Sequence, residues 1–222
     1  MAWHPSGQLI ATLQSEQGAT TVLFATGEGG PTPMRLRRRA LILDCDGYEV
    51  PEFTPDGRYL AVRGDAYGNS VSVFEFPSLT KVLAMPLGEP RPNGPGFPSS
   101  EWIEQMRAWS RYAMVFGRQS GALWIGTPTG MLMEIDLQAG RVVEHDVLTG
   151  ARVTAIGALA TGGLVIAGGG GELLLASEPP GCSTGEGSDT AAAYLTSTSV
   201  VPEDGALEPH LIERGHTTTC QR

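Results

Sequence analysis

Residues Phe53–Phe76, FTPDGRYLAVRGDAYGNSVSVFEF, contain the pattern that decides the fold. The segment enters through Thr54–Gly57, TPDG, in which proline fixes φ at the first corner and glycine can take the positive φ of a tight turn. Two short apolar runs follow, Tyr59–Arg63 and Ser70–Phe76. Runs rich in β-branched and aromatic residues that are bounded by turn residues predict two paired β-strands.

The same unit occurs again fifty residues earlier. Trp3–Thr12, WHPSGQLIAT, aligns with Phe53–Val62, FTPDGRYLAV, with an aromatic residue, proline, glycine and alanine at matching positions. Two weaker copies follow the central unit. The turn glycines of the four copies are Gly7, Gly57, Gly121 and Gly163, and they are 50, 64 and 42 residues apart. A period of about 40–50 residues with several short strands is typical of β-propeller blades. The sequence therefore predicts an all-β protein, a β-propeller of about four blades.

Composition supports this fold class. The 222 residues include 30 glycines and 16 prolines, which indicates frequent turns, and 41% of the residues are hydrophobic. That hydrophobic content is too high for a disordered chain and sufficient for a packed core. Frequent turns combined with frequent short apolar runs favour an all-β protein.

Charge and targeting features narrow the classes of partner. The net charge of −9 disfavours binding to nucleic acid or to an anionic membrane. The basic cluster Arg35–Arg39 lacks interleaved aromatic residues, and we interpret it as a polar strand or loop face. There is no apolar run of membrane-spanning length and no signal-peptide pattern, so we expect a cytoplasmic protein. Three cysteines at irregular spacing do not indicate a disulfide framework.

The chain divides into repeats, an insert and a C-terminal appendage. We place propeller repeats over 1–176 and a linker with a small helical appendage over 177–222. The blade-like units lie near 1–49, 50–86, 110–150 and 151–176, with an insert over 87–109. Within the insert, helical spacing of apolar residues and a serine cap predict a short helix over Ser100–Trp109. In the appendage we predict a second helix over Thr190–Ser199, capped by Asp189, and a short strand over His210–Glu213.

The unit of Pro-Asp-Gly turn followed by a strand resembles the WD repeat and the related Tol-type propeller repeats, over roughly residues 1–176. The chain departs from strict WD repeats because no Trp-Asp dipeptide ends a strand. The Gly-His pair Gly215-His216 lies outside the repeats. About four repeats are fewer than most propellers contain. Either the blades close as a small ring, or they belong to a larger ring completed by another chain or by upstream sequence.

Three motifs suggest enzymes but fit turns better. Asp44–Gly47 follows an apolar run, as in the nucleophile loop of haloacid-dehalogenase-type phosphatases, yet a β-repeat begins within ten residues where that fold needs a helix. Gly168–Gly171 lacks the Lys-Ser/Thr of a phosphate loop and precedes a strand, which indicates a hairpin turn. Gly117–Gly121 has the wrong spacing for a serine-hydrolase elbow. We therefore predict no catalytic residues.

Metal and cofactor sites are not predicted either. Potential ligands exist in the C-terminal region, but their spacing matches no compact zinc motif: Cys182, His210, His216 and Cys220. His4 and His145 are expected to be turn or strand residues and not ligands or bases. We expect no cofactor.

These observations favour a non-catalytic propeller scaffold that binds a protein or peptide. The insert is the expected contact surface, through Trp102, Met106 and Trp109, because aromatic residues and methionine are enriched in interface cores. The alternative is a propeller enzyme or sensor that binds a small molecule or metal in its central channel. An incomplete propeller would also be expected to form homo-oligomers.

Overall fold

The computed structural model describes residues 1–16, 19–26, 35–43, 48–64, 69–89, 92, 97–118, 121–177, 194–199 and 210–215. The chain forms two compact units, Met1–Arg107 and Ala108–Arg222. The predictions made for Asp44–Gly47 and for the linker that follows position 177 lie outside the described residues. The predicted division at 176/177 stays a prediction.

The first unit contains two four-stranded antiparallel meanders in its described part. Sheet 1 consists of β1 (Ala2–Trp3), β2 (Leu9–Glu16), β3 (Ala19–Thr26) and β4 (Arg35–Leu43). Sheet 2 consists of β5 (Tyr48–Phe53), β6 (Tyr59–Gly64), β7 (Asn69–Glu75) and β8 (Lys81–Leu87). Helix α1 (Ser100–Ala108) follows sheet 2. In both sheets each strand pairs with the next strand along the chain.

The second unit repeats this organisation. Sheet 3 consists of β9 (Met114–Phe116), β10 (Ala122–Gly126), β11 (Met131–Asp136) and β12 (Arg141–Asp146). Sheet 4 has three strands, β13 (Val153–Ala158), β14 (Leu164–Gly168) and β15 (Leu173–Ala176). The last described elements form a two-stranded antiparallel sheet of β16 (Tyr194–Ser199) and β17 (His210–Gly215).

The turn before β6 shows why the repeat unit folds as it does. Thr54 N–H donates to the Tyr59 carbonyl at 3.0 Å, and Gly57 N–H donates to the Thr54 carbonyl at 2.9 Å. Gly57 has a φ of 73°, a conformation that residues with a Cβ adopt only at a cost. Fifty residues earlier, His4 N–H donates to the Leu9 carbonyl at 2.8 Å in the matching position. The two copies found by sequence comparison thus fold alike.

Alternating side chains give each sheet an apolar face. Sheets 1 and 2 share a core with buried residues from both: Ala11, Val22, Phe24, Leu43, Phe53, Leu60, Val62 and Phe74. Sheets 3 and 4 share a second core, whose larger members are Val115, Trp124, Leu132, Val153, Ile156, Leu164, Ile166 and Leu174. Both cores arise from face-to-face packing of consecutive sheets, which is how neighbouring propeller blades pack.

Most predicted elements are confirmed, and one is wrong. The predicted strand at His210 and the predicted inserted helix are both present. The helix predicted over Thr190–Ser199 as part of a helical appendage is wrong, because Tyr194–Ser199 is strand β16, paired antiparallel with β17. Two threonines, Thr196 and Thr198, alternate along this strand; β-branched residues favour strands, and the partner strand outweighs the helical propensity of the preceding alanines.

Candidate functional site

The inserted helix begins at a well-formed cap. Ser99 Oγ accepts a hydrogen bond from Trp102 N–H at 3.2 Å, and the Ser99 carbonyl accepts one from Ile103 N–H at 3.1 Å. A serine in this position satisfies amides that the first helical turn leaves without partners. Glu101 in the first turn and Arg107 in the last turn have the charges that the helix dipole favours at those ends.

Trp102 fastens the helix to the end of sheet 2. Its side chain is buried, with 8% exposed, and its indole Nε1–H donates to the Glu89 carbonyl at 3.3 Å, two residues beyond β8. Trp102 was predicted as a contact residue on an exposed insert, and its burial removes it from the accessible surface. Its role is to position the helix.

The other end of the helix is held by strand β7. The side-chain amide of Asn69 donates to the Met106 carbonyl at 2.9 Å and lies 3.6 Å from the Met106 sulfur. This carbonyl is in the last turn, where helical carbonyls have no partner within the helix. Met106 is half-buried as a result.

The exposed aromatic residues of the insert are not the ones that the helical pattern singled out. Phe97, two residues before the cap, is 100% exposed. Trp109, directly after the helix, is half-buried, and Tyr112 is 65% exposed beneath the Arg111 guanidinium, 5.5 Å from the ring centroid. Sequence reasoning missed Phe97 because it treated the Pro/Gly-rich segment as a loop; the available signal was a bulky aromatic residue in a segment otherwise composed of turn formers.

A polar cluster lies within sheet 3. His145 on β12 is 6% exposed, and its Nε2 lies 3.0 Å from Glu134 Oε2 on β11. The His145 ring also packs against Trp124 on β10, with centroids 5.5 Å apart. Because the imidazole is enclosed by its neighbouring strands, this cluster serves packing between strands. The prediction that His145 is a strand residue is confirmed.

His4 occupies the turn between β1 and β2, as predicted. Its Nδ1 accepts a hydrogen bond from Ser6 N–H at 3.2 Å, and its ring packs against Phe53 and Phe76 at centroid distances of 5.1 and 5.3 Å. Its Nε2 lies over Gly57, close enough that a Cβ there would be only 2.3 Å away. His4 therefore joins the first turns of sheets 1 and 2.

The motifs that suggested catalysis lie in ordinary hairpins or outside the described residues. Gly168–Gly171 connects β14 to β15, and the Gly170 amide donates to the Glu172 carboxylate at 2.9 Å, so the chain's own anion occupies the loop. Strand β4, before Asp44, pairs antiparallel with β3, whereas the phosphatase fold needs a parallel sheet. Cys182, His216 and Cys220 fall outside the described residues, and so do two residues of Gly117–Gly121.

In the part of the chain that the structure describes, no group of three or more His, Cys, Asp or Glu side chains converges in a way that could hold a metal ion. None of the helices found there has the length and apolar character needed to cross a bilayer.

Comparison with known proteins identifies the fold. No protein-family model matches the chain, and no curated protein sequence matches it. Among solved structures, the chain is similar to the β-propeller domain of Cps50 (Swd1) from Myceliophteria thermophila, with a TM-score of 0.52 and 14% sequence identity. The match covers 100% of this chain and 71% of that chain. Similarity at this identity concerns the fold, and it confirms the predicted β-propeller class.

Proposed function

We propose that this protein is a non-catalytic β-propeller scaffold that binds a protein or peptide partner through residues 97–109 of its insert. The observation that carries the proposal is the fully exposed Phe97 next to a helix fastened at both ends. Propellers commonly bind partners through segments that depart from the repeat, while the blades hold those segments rigid. The insert is such a segment in this chain.

Rigid anchoring supports a binding role for the insert. The hydrogen bonds from Trp102 to the Glu89 carbonyl and from Asn69 to the Met106 carbonyl restrain both ends of α1. A surface held in one conformation before binding loses less conformational entropy when a partner arrives. Phe97 then supplies the exposed aromatic contact, and Met106 is half-buried in the last turn of the helix.

The charges on the insert suggest the chemistry of the partner. Glu101 and Glu104 are exposed on α1, with one exposed cation, Arg107, on its last turn. The chain as a whole has a net charge of −9. The complementary partner has an apolar pocket for Phe97 bordered by basic side chains, because complementary potentials speed association and set its orientation.

The described residues give the alternative function no specific support. An enzyme or a sensor with a channel ligand requires converging carboxylates or histidines, and His145 is already engaged by Glu134. We therefore retain the scaffold as the proposed function.

Photocrosslinking tests the proposal directly. A photoreactive phenylalanine analogue replaces Phe97 in one variant and Val82 in a control, because Val82 is 44% exposed on β8 of the same unit. We expect the variant at 97 to capture a defined partner and the control to capture none. Phe97→Ala should then weaken the affinity for that partner at least about tenfold, as aromatic anchors do. Equal crosslinking from both positions, or unchanged affinity of Phe97→Ala, would refute the proposal.

A further inference from the structure

The sulfur atom of Met106 lies against a side-chain hydrogen-bond donor. Asn69 Nδ2 is 2.9 Å from the Met106 carbonyl oxygen and 3.6 Å from Met106 Sδ. An asparagine amide carries two N–H donors, so one donates to the carbonyl while the other is available to the sulfur. A thioether is a weak acceptor, and this second hydrogen bond is therefore weak. The fold thus holds a donor beside an atom whose acceptor strength depends on its oxidation state.

Oxidation converts this sulfur into the centre of a strong acceptor group. A sulfur lone pair attacks hydrogen peroxide, one peroxide oxygen is transferred to sulfur, the O–O bond breaks and water leaves. Sulfur loses two electrons, peroxide gains them, and the product is methionine sulfoxide, which is polar. Its oxygen carries a partial negative charge and accepts hydrogen bonds much better than the thioether sulfur does.

The distance between the two side chains suits an oxygen placed between them. A sulfur–oxygen bond of about 1.5 Å and an N–H···O separation of about 2.9 Å, meeting at roughly 120°, put nitrogen and sulfur about 3.9 Å apart. The observed separation of Asn69 Nδ2 and Met106 Sδ is 3.6 Å. A movement of a few tenths of an ångström is therefore sufficient, and the three rotatable bonds of a methionine side chain permit it.

Met106 is not sealed from solvent. It is half-buried on α1, whereas Met114 is 5% exposed and Met1 is 72% exposed. Because oxidation by dissolved peroxide follows exposure, we expect Met1 to react fastest, Met114 slowest and Met106 between them.

We propose that Met106 is a reversible oxidation site, at which sulfoxide formation strengthens the hydrogen bonding of Asn69 to the last turn of α1. In the thioether form one Asn69 donor meets a weak acceptor, and in the sulfoxide form both donors meet oxygen. The usual result of methionine oxidation is the opposite, because the added polar oxygen disrupts packing. The effect on α1 does not depend on a bound partner.

Amide exchange followed by mass spectrometry tests the proposal on the full chain after mild treatment with hydrogen peroxide. Peptide mapping first measures the sulfoxide content at Met106, Met1 and Met114. We expect exchange within residues 103–108 to slow at least about threefold on oxidation of Met106, the effect of one added hydrogen bond on local opening. Reduction by methionine sulfoxide reductases A and B should reverse the change.

Three variants separate this mechanism from other effects of peroxide. Met106→Leu cannot be oxidised at this position, so the same treatment should leave its exchange unchanged. Asn69→Ala lacks the donor and should gain no protection from peroxide. Met106→Gln carries an amide oxygen in place of the sulfoxide oxygen and should slow exchange without peroxide.

Four results would overturn the proposal. They are faster or unchanged exchange when Met106 is oxidised, equal protection in treated Met106→Leu, exchange in Met106→Gln no slower than in Met106→Leu, and resistance of Met106 to peroxide equal to that of buried Met114.

Discussion

His145 Nε2 lies 3.0 Å from Glu134 Oε2, joining adjacent strands of sheet 3 by a diagonal side-chain contact. The register places His145 opposite Leu132 and Glu134 opposite Val143, so the two polar side chains share a face with the apolar core. The histidine side chain is 5% exposed and the glutamate side chain 21% exposed. The Glu134 carboxylate, which is still partly exposed to water, therefore provides the hydrogen-bond partner of the buried His145 imidazole.

Removing the carboxylate should destabilise the protein by leaving the imidazole without its partner. We expect Glu134→Ala to lower the free energy of unfolding by about 1–3 kcal/mol, the usual cost of an unsatisfied buried polar group. Glu134→Gln retains an acceptor oxygen and should cost less. Urea unfolding followed by tryptophan fluorescence measures both; equal midpoints for wild type and Glu134→Ala would show that the contact contributes nothing.

Gly130 should tolerate no side chain. Its φ is 88°, and a Cβ at this position would lie 1.8 Å from the Leu148 carbonyl oxygen, which belongs to the backbone and cannot move aside. We expect Gly130→Ala to cost more than about 3 kcal/mol or to prevent folding.

Gly140 supplies the matched control for that substitution. It has a φ of 63° with no atom within 4 Å of a Cβ, so Gly140→Ala should cost only the roughly 1–2 kcal/mol of a left-handed backbone. Thermal unfolding compares the two variants. Similar losses for both would contradict the steric argument.

The close contact between Gly126 and Val153, which joins sheets 3 and 4, should be visible as energetic coupling. A Cβ on Gly126 of β10 would come within 2.3 Å of Val153 Cγ1 on β13. Gly126→Ala should therefore be strongly destabilising, and adding Val153→Ala should recover part of the loss by removing the clashing methyl group. A double-mutant cycle measures the coupling, and strictly additive changes would show that the sheets shift apart instead.

The hydrogen bonds of the inserted helix should control its local stability. Trp102→Phe keeps the ring but removes the indole donor to the Glu89 carbonyl, and Asn69→Ala removes the side-chain donor to the Met106 carbonyl. We expect both to speed proteolytic cleavage and amide exchange within 97–109 several-fold, because local opening becomes less costly. The strands of sheet 2 provide the internal control, and uniform loss of protection there would mean global unfolding.

Sequence reasoning recovered the local elements because their signals are local. The Thr54–Gly57 turn and the Ser99 cap each depend on a few neighbouring residues, and each is confirmed. Tyr194–Ser199 shows the limit of that approach. Its strand is decided by pairing with His210–Gly215, more than ten residues away, and short segments of mixed propensity follow their tertiary partners.

The structure shows which side chains of the insert are accessible, while the contact site itself stays a prediction. Helical spacing located α1 but could not tell which aromatic side chain faces the protein, since Trp102 and Trp109 are equally apolar. Trp102 is buried and bonded to the Glu89 carbonyl, whereas Phe97 is fully exposed. Exposure depends on neighbours that only the folded chain supplies.

The sequence by itself determined that this protein is built from repeated β-meanders, since the chemistry of turns and of short apolar runs acts within a few residues of the chain. Only the tertiary structure decided which polar and aromatic groups meet. The pairing of His145 with Glu134 and the burial of Trp102 both depend on register and on packing between elements. These contacts join residues that lie on different elements. Their interaction energies depend on distance in space, which the separation of the residues along the chain does not predict.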